Sequence, residues 1–179
     1  MIALTLCLLA VTGCGGGGGE RVSGPPPAAP AAITLGSADF ADGGTIPRRF
    51  TCSGAGDTPE LHWSGVPSGA RELALLVEDP DAPGGTFVHW TLYGLDAGLR
   101  ALPAAAVPTN ATEGANSRGE HGWTPPCPPE GDSPHRYVFT LYALRAPSGL
   151  EAHAAPEDVR SAVAAGATAR GQLVGRFGR

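Results

Sequence analysis

The stretch from Glu72 to Gly85 sets the strongest limit on what this chain can fold into. Leu73-Ala74-Leu75-Leu76-Val77 is apolar without a break between two glutamates, so no polar residue marks an outward face. Such a run predicts a central strand buried on both sides. It leads straight into Asp79-Pro80-Asp81-Ala82-Pro83-Gly84-Gly85, a proline-stiffened turn that carries two carboxylates. Phe87 to Leu95 reads as the next strand. Period two places Phe87, His89, Thr91 and Tyr93 on one face, with Val88, Trp90 and Leu92 on the other. Strand, acidic turn and returning strand hold an acid and a histidine at one end of a sheet.

The other segments are mostly strands separated by Gly and Pro. Ile33-Thr34-Leu35 is a short strand, and Asp39 to Gly44 is a turn. Ile46 to Cys52 reads as a strand with Pro47 near its start, where a missing N–H is tolerated. Leu61-His62-Trp63-Ser64 alternates large and polar residues. The segment from Asp96 to Gly122 lacks periodicity and reads as a long irregular connection, a kind of loop that is often functional. Tyr137 to Leu144 is aromatic and β-branched, the clearest strand in the chain. One helix is predicted from Pro156-Glu157-Asp158, which puts a proline and two acids in its first turn. Val159 and Val163 would face the sheet, and the helix should end between Gly166 and Ala169. Gln172 to Phe177 is the closing strand. Many strands, one late helix and no βαβ alternation predict an antiparallel β-sandwich with helical decoration.

At 179 residues the chain suits one domain. Its net charge is −5 and all 12 of its basic residues are arginines. Without a basic block, nucleic acid is not an expected partner. Without lysine, Schiff-base chemistry and a P-loop are excluded.

Residues 1–14 read as a targeting segment. Ile2 to Val11 is apolar but well short of the ~20 residues that a membrane helix needs. Val11-Thr12-Gly13-Cys14 then resembles a bacterial lipobox, in which Cys14 would be lipidated, although no Lys or Arg precedes the apolar run. A plain apolar N-terminus is the alternative. Residues 15–32, with Gly15 to Gly19, Pro25-Pro26-Pro27 and Ala28 to Ala32, read as a flexible and then semi-extended tether. The folded domain is expected over 33–179. Its two cysteines, Cys52 and Cys127, form an even pair in what would be an exported protein, which predicts one disulfide; two buried free thiols are the alternative.

Several separated motifs carry a resemblance: DPDAP followed by His89-Trp90, CPP before HRYVF, and the terminal LVGRFGR. FTCSG, LHWSGVPSGA and LALLVEDPDAPGGTFVHW agree in order and spacing. From about Ile33 to Arg179 the chain resembles the phosphatidylethanolamine-binding protein (PEBP) family, in its bacterial Raf-kinase-inhibitor-like branch. The resemblance implies a Greek-key β-sandwich with a C-terminal helix and a small pocket that accepts phosphate groups. Carried over by residue, it implicates Asp79, Asp81, His89, Cys127, Pro128, Pro129, His135 and Tyr137. Two departures bear on that pocket. Trp123-Thr124-Pro125-Pro126 replaces a glycine-rich approach, predicting a tighter rim, and Ser133-Pro134 looks inserted, predicting a displaced His135.

Bland readings stand beside these. Asp79 and Asp81 suit Asx turns, Tyr137 alone suits a core, and Arg136 suits an ion pair. His62, His121 and His153 have no motif around them. A carboxylate beside His89 or His135 would favour the imidazolium, whereas burial would disfavour it. No GxSxG elbow is present. The expectation is a non-catalytic, membrane-tethered envelope protein that binds a small anionic or phosphate-bearing ligand, with no cofactor and no metal. The alternatives are a protease- or kinase-inhibiting module that binds a protein partner, and a metal-dependent hydrolase using Asp79, His89 and His135.

Overall fold

The computed structural model describes residues 21–179; the signal segment, Cys14 and the glycine run lie outside them. Its centre is β3 (Glu72–Asp79), in which every residue is buried. β3 pairs antiparallel with β4 (Phe87–Leu95) on one side and β7 (His135–Leu144) on the other. β7 pairs in turn with β8 (Ala167–Phe177), and β6 (Thr112–Glu113) edges β4. A second sheet has the order β1 (Thr34–Gly36), β2 (Leu61–Ser64) and β5 (Ala101–Leu102). After β4 the chain crosses to the second sheet as β5, returns as β6, and inserts β7 beside β3. That path is a Greek key.

Alternation along β3 creates two cores. Leu73, Leu75 and Val77 face the second sheet and pack with Leu61, Trp63, Trp90, Phe139 and Leu173. Ala74 and Leu76 face the other way and pack with Tyr142, Leu144, Val159 and Val163. The two valines lie on the one α-helix among the described residues, α1 (Pro156–Gly166), which has Pro156 at its start and Glu157 and Asp158 in its first turn. Each fully buried valine contributes roughly 1.5–3 kcal/mol. The antiparallel two-sheet architecture and the late helix agree with the sequence reading.

Four local expectations differ from the structure. In β4 the strict alternation breaks at a bulge opposite Val77 and Glu78, so Trp90 and Leu92 share the core of Val77 and Leu75 on the side that His89 faces. The segment 46–52 is not a strand: after Ile46 donates its N–H to the Arg176 carbonyl, Pro47 turns the chain into a short 3-10 helix, Arg48–Phe50. The turn buries Phe50, which an extended chain there would not do while also bringing Cys52 to Cys127. The long connection contains β5 and β6, strands too short to show a period. The tether reading does not hold for residues 21–32, which pack onto the domain. Val22 pairs with Thr86, the Tyr142 hydroxyl donates to the Pro27 carbonyl, and the Arg170 N–H donates to the Pro30 carbonyl.

Arg160 locks this arm. It is buried in an ion pair with Glu78, the outward-facing neighbour of Asp79, and its remaining amino group donates to the carbonyls of Ser23, Gly24 and Pro25. Burial pushes the Glu78 carboxyl up, and Arg160 opposes that push. Arg160→Ala strands a buried carboxylate and should cost about 3–5 kcal/mol. Limited proteolysis of the variant should cut the arm well before the sheet; an arm as resistant as in the wild type would count against the lock.

The disulfide between Cys52 and Cys127 is formed, with a sequence separation of 75. Closing a loop of that size restricts the unfolded chain by about 4 kcal/mol on the loop-entropy estimate. Urea unfolding of the Cys52→Ala, Cys127→Ala double variant should show a loss of that order.

Candidate functional site

Three strands bring the site together because β3 pairs antiparallel on both flanks. Asp79 ends the row begun by Leu73, Leu75 and Val77, past the last apolar side chain. On one flank Asp79 is opposite Phe87, with His89 two residues along β4. On the other, Val77 is opposite Phe139 and Glu78 opposite Val138, so Tyr137 and then His135 follow on the Asp79 face. The period-two rule thus aims one acid, two histidines and a tyrosine at one end of the sandwich. They line a cavity of about 260 Å³ closed by Pro125, Cys127, Pro128 and Pro129.

Asp79 is buried and makes two bonds. Its Oδ2 accepts from His135 Nδ1 at 2.7 Å, and its Oδ1 accepts from the Asp81 N–H at 2.8 Å. Burial pushes the Asp79 carboxyl above its ordinary value, and the bond from His135 opposes this. His135 is therefore not displaced by Ser133-Pro134; it stays in register opposite Phe177. His89 is a different case. Its Nδ1 donates to the Thr124 carbonyl at 2.7 Å, and burial pushes its pKa down to about 4. With Nδ1 carrying the hydrogen, the neutral ring presents Nε2 as an acceptor. The imidazolium expected from a neighbouring carboxylate does not form at His89, because Asp79 bonds the other histidine.

Tyr137 is fully buried, and among the described residues neither its hydroxyl nor that of buried Thr124 has a partner. Burial and the charge of Asp79 push the Tyr137 phenol up, so it remains a donor. An unpartnered buried hydroxyl costs free energy, and both hydroxyl-bearing residues line the cavity.

Of the eight residues implicated, seven line the cavity, and Asp81 does not. Its carboxylate accepts from the Arg136 backbone at 2.9 Å and from the Arg136 guanidinium at 2.8 and 2.6 Å. Those bonds hold its pKa down at about 2. Asp81 pins the turn, and Arg136 is its ion-pair partner. Among the described residues, no three His, Cys, Asp or Glu side chains are grouped to hold a metal ion, so Asp79, His89 and His135 do not form the ligand set of the hydrolase alternative.

The family model for phosphatidylethanolamine-binding protein matches residues 36–178. The chain belongs to the phosphatidylethanolamine-binding protein family. LppC of Mycobacterium tuberculosis, a protein whose name includes the word lipoprotein, is 41% identical over 95% of this chain and 90% of its own length. A solved Chlamydia trachomatis protein, described as a PEBP homologue, is 37% identical, with a TM-score of 0.78 over 83% of this chain and 98% of that one. Escherichia coli YbcL, titled a member of the mammalian PEBP family, is 30% identical, with a TM-score of 0.79 over 83% of this chain and 99% of that one.

In this PEBP-family member the cavity also includes Thr124 and Pro125 from the expected rim segment, and Arg21 and Arg118, which the sequence reading did not single out. Arg118 sits in the long connection whose length alone hinted at function. There Asn116 accepts from the Arg118 and Glu120 N–H groups, and the Ser117 hydroxyl oxygen accepts from the Val88 N–H, fastening the loop to β4. Arg21 was hidden in a segment that composition marks as linker. No ion pair among the described residues involves either arginine.

The histidine assignment has a pH signature. An NMR titration of the His89 ring should give a midpoint near 4, from the Nδ1-protonated tautomer. Between about pH 6.5 and 4 the unfolded chain binds a proton at this site that the folded chain refuses, so stability should fall with pH. The difference in urea stability between the wild type and His89→Gln isolates this contribution from Asp79 and Glu78. It should reach the order of 3 kcal/mol by pH 4; no change in the difference would sink the neutral-histidine assignment.

Proposed function

We propose that the cavity binds a small oxyanion, such as a phosphate or phosphate ester, and that the protein acts by binding and not by catalysis. The observation that carries this reading is the Tyr137 hydroxyl, which is fully buried, unpartnered among the described residues, and at the wall of a cavity flanked by two arginines that make no ion pair among those residues. A buried donor without an acceptor favours a ligand that brings one, and an anion accepts the stronger, charge-assisted bonds. The lining offers no serine, and its one cysteine is held in the disulfide. His135 is oriented by Asp79 but has no hydroxyl or thiol nucleophile bonded to it.

The protein is further proposed to be a lipoprotein of the bacterial cell envelope, anchored through Cys14. The lipobox and the name of the Mycobacterium tuberculosis relative support this.

Tyr137→Phe separates binding from folding. Inorganic phosphate titrated into the full chain should bind the variant about tenfold more weakly, the loss of one bond to a charged group. Thermal stability should stay level or rise, because the deleted hydroxyl has no partner in the free protein. Unchanged phosphate affinity in Tyr137→Phe would refute the role given to this residue.

A further inference from the structure

The family model begins its match at residue 36, yet one wall of the cavity comes from residue 21. The arm that carries it is firmly placed. Val22 is 2% exposed, and its N–H donates to the Thr86 carbonyl at 3.2 Å, directly before β4. The Ser23 N–H donates to Glu157 at 3.0 Å, and Arg160 holds the next three carbonyls. Arg21 is thereby laid over Phe87, its guanidinium carbon 4.6 Å from the ring centroid, with Nε donating to the Pro83 carbonyl at 3.4 Å. Pro83 and Phe87 line the same cavity.

The contact with Phe87 and the single bond restrain the guanidinium and leave its other N–H groups without a protein acceptor among the described residues. Arg118 lines the same cavity. In a chain of net charge −5, no ion pair among the described residues takes up the two cations at this cavity, while Asp81, Glu78 and Asp39 each have an arginine partner. An arginine restrained at a cavity wall with donors to spare has the fork that recognises two oxygens of one phosphate.

We propose that Arg21 is a ligand-contacting residue, and that the N-terminal arm and a bound oxyanion hold each other in place. This rests on the oxyanion reading of the cavity. The coupling is reciprocal: an anion bonded to Arg21 stabilises the docked arm, and a docked arm raises affinity for the anion. The ligand class is a phosphate group, free or esterified. With Cys14 lipidated, the seven residue steps to Arg21 span at most about 25 Å. The mouth of the cavity then stays near the membrane surface, where both a lipid headgroup and a free anion are within reach.

The test uses the full chain in non-ionic detergent, with inorganic phosphate and dihexanoyl phosphatidylglycerol as separate probes. Arg21→Gln keeps the length of the side chain and removes its charge. It should weaken phosphate binding about tenfold or more, with Arg21→Lys losing less because the point charge remains. Hydrogen exchange of the Val22 amide supplies the second readout. Phosphate should slow it in the wild type and leave it unchanged in Arg21→Gln, while its rate without phosphate is equal in both. A soluble lipid that binds tighter than phosphate, with the same Arg21→Gln loss, assigns the headgroup as source; weaker binding with that loss assigns the free anion. If Arg21→Gln binds phosphate within twofold of a binding-competent wild type, the arm inference is overturned and the oxyanion reading stands. If the wild type itself binds no phosphate at millimolar concentration, the oxyanion reading falls and takes the inference with it.

Discussion

The structure turns on a carboxylate buried at the end of the sandwich. Asp79 is the continuation of a row of core side chains, and its position is dictated by the period of β3. A buried carboxylate is tolerated only when bonded. Here the bonds come from a backbone N–H two residues on and from His135, 56 residues away in sequence. The first bond shapes the acidic turn, and the second ties the end of β3 to the end of β7. The turn, the orientation of His135 and the opening of the cavity between β4 and β7 all follow from satisfying one charge.

Glu78 poses the same problem one residue earlier and is solved differently. Alternation sends it to the helix side, where Arg160 of α1 meets it as a full countercharge. That guanidinium has donors to spare, and they go to three carbonyls of the N-terminal arm. Two adjacent acids on one strand thus organise two faces. Asp79 builds the cavity, and Glu78, through Arg160, fixes the segment that forms its outer wall. A histidine partner donates one bond to the carboxylate; an arginine partner brings enough donors to fasten a stretch of chain as well.

What could be read from the sequence was whatever repeats with a period or sits in a compact motif. β3 and β7 are long, apolar and free of breakers. α1 has its proline, its first-turn acids and two valines one turn apart. The convergence of Asp79, His89, His135 and Tyr137 followed from motifs matched as a set, and antiparallel pairing delivered it. The features that escaped are those decided by contacts distant in sequence. Arg21 belongs to the wall only because Val22 finds Thr86, and composition says nothing of that pairing. Phe50 leaves the strand pattern because Pro47 and the reach of Cys52 to Cys127 favour a turn. β5 and β6 have two residues each, too few for any period. The charge state of His89 was undecided for the same reason, since it depends on how deeply the folded chain buries the ring.

That burial has a consequence for recognition at the cavity. An anion would seem badly served by a site containing Asp79 and a histidine that burial keeps neutral. Both oxygens of Asp79, however, are already bonded within the protein, so its charge is partly answered before any ligand arrives. His89 has given its hydrogen to the Thr124 carbonyl and offers a lone pair. On the oxyanion reading, a ligand oxygen facing that lone pair must share a hydrogen with it. The hydrogen comes either with a protonated phosphate or by protonation of His89, which an adjacent anion favours against the effect of burial. By either route the complex contains one proton more than a fully ionised ligand and the free protein bring together. On that same reading, the neutral histidine acts as a filter for protonation state, while the arginines at the rim supply the attraction.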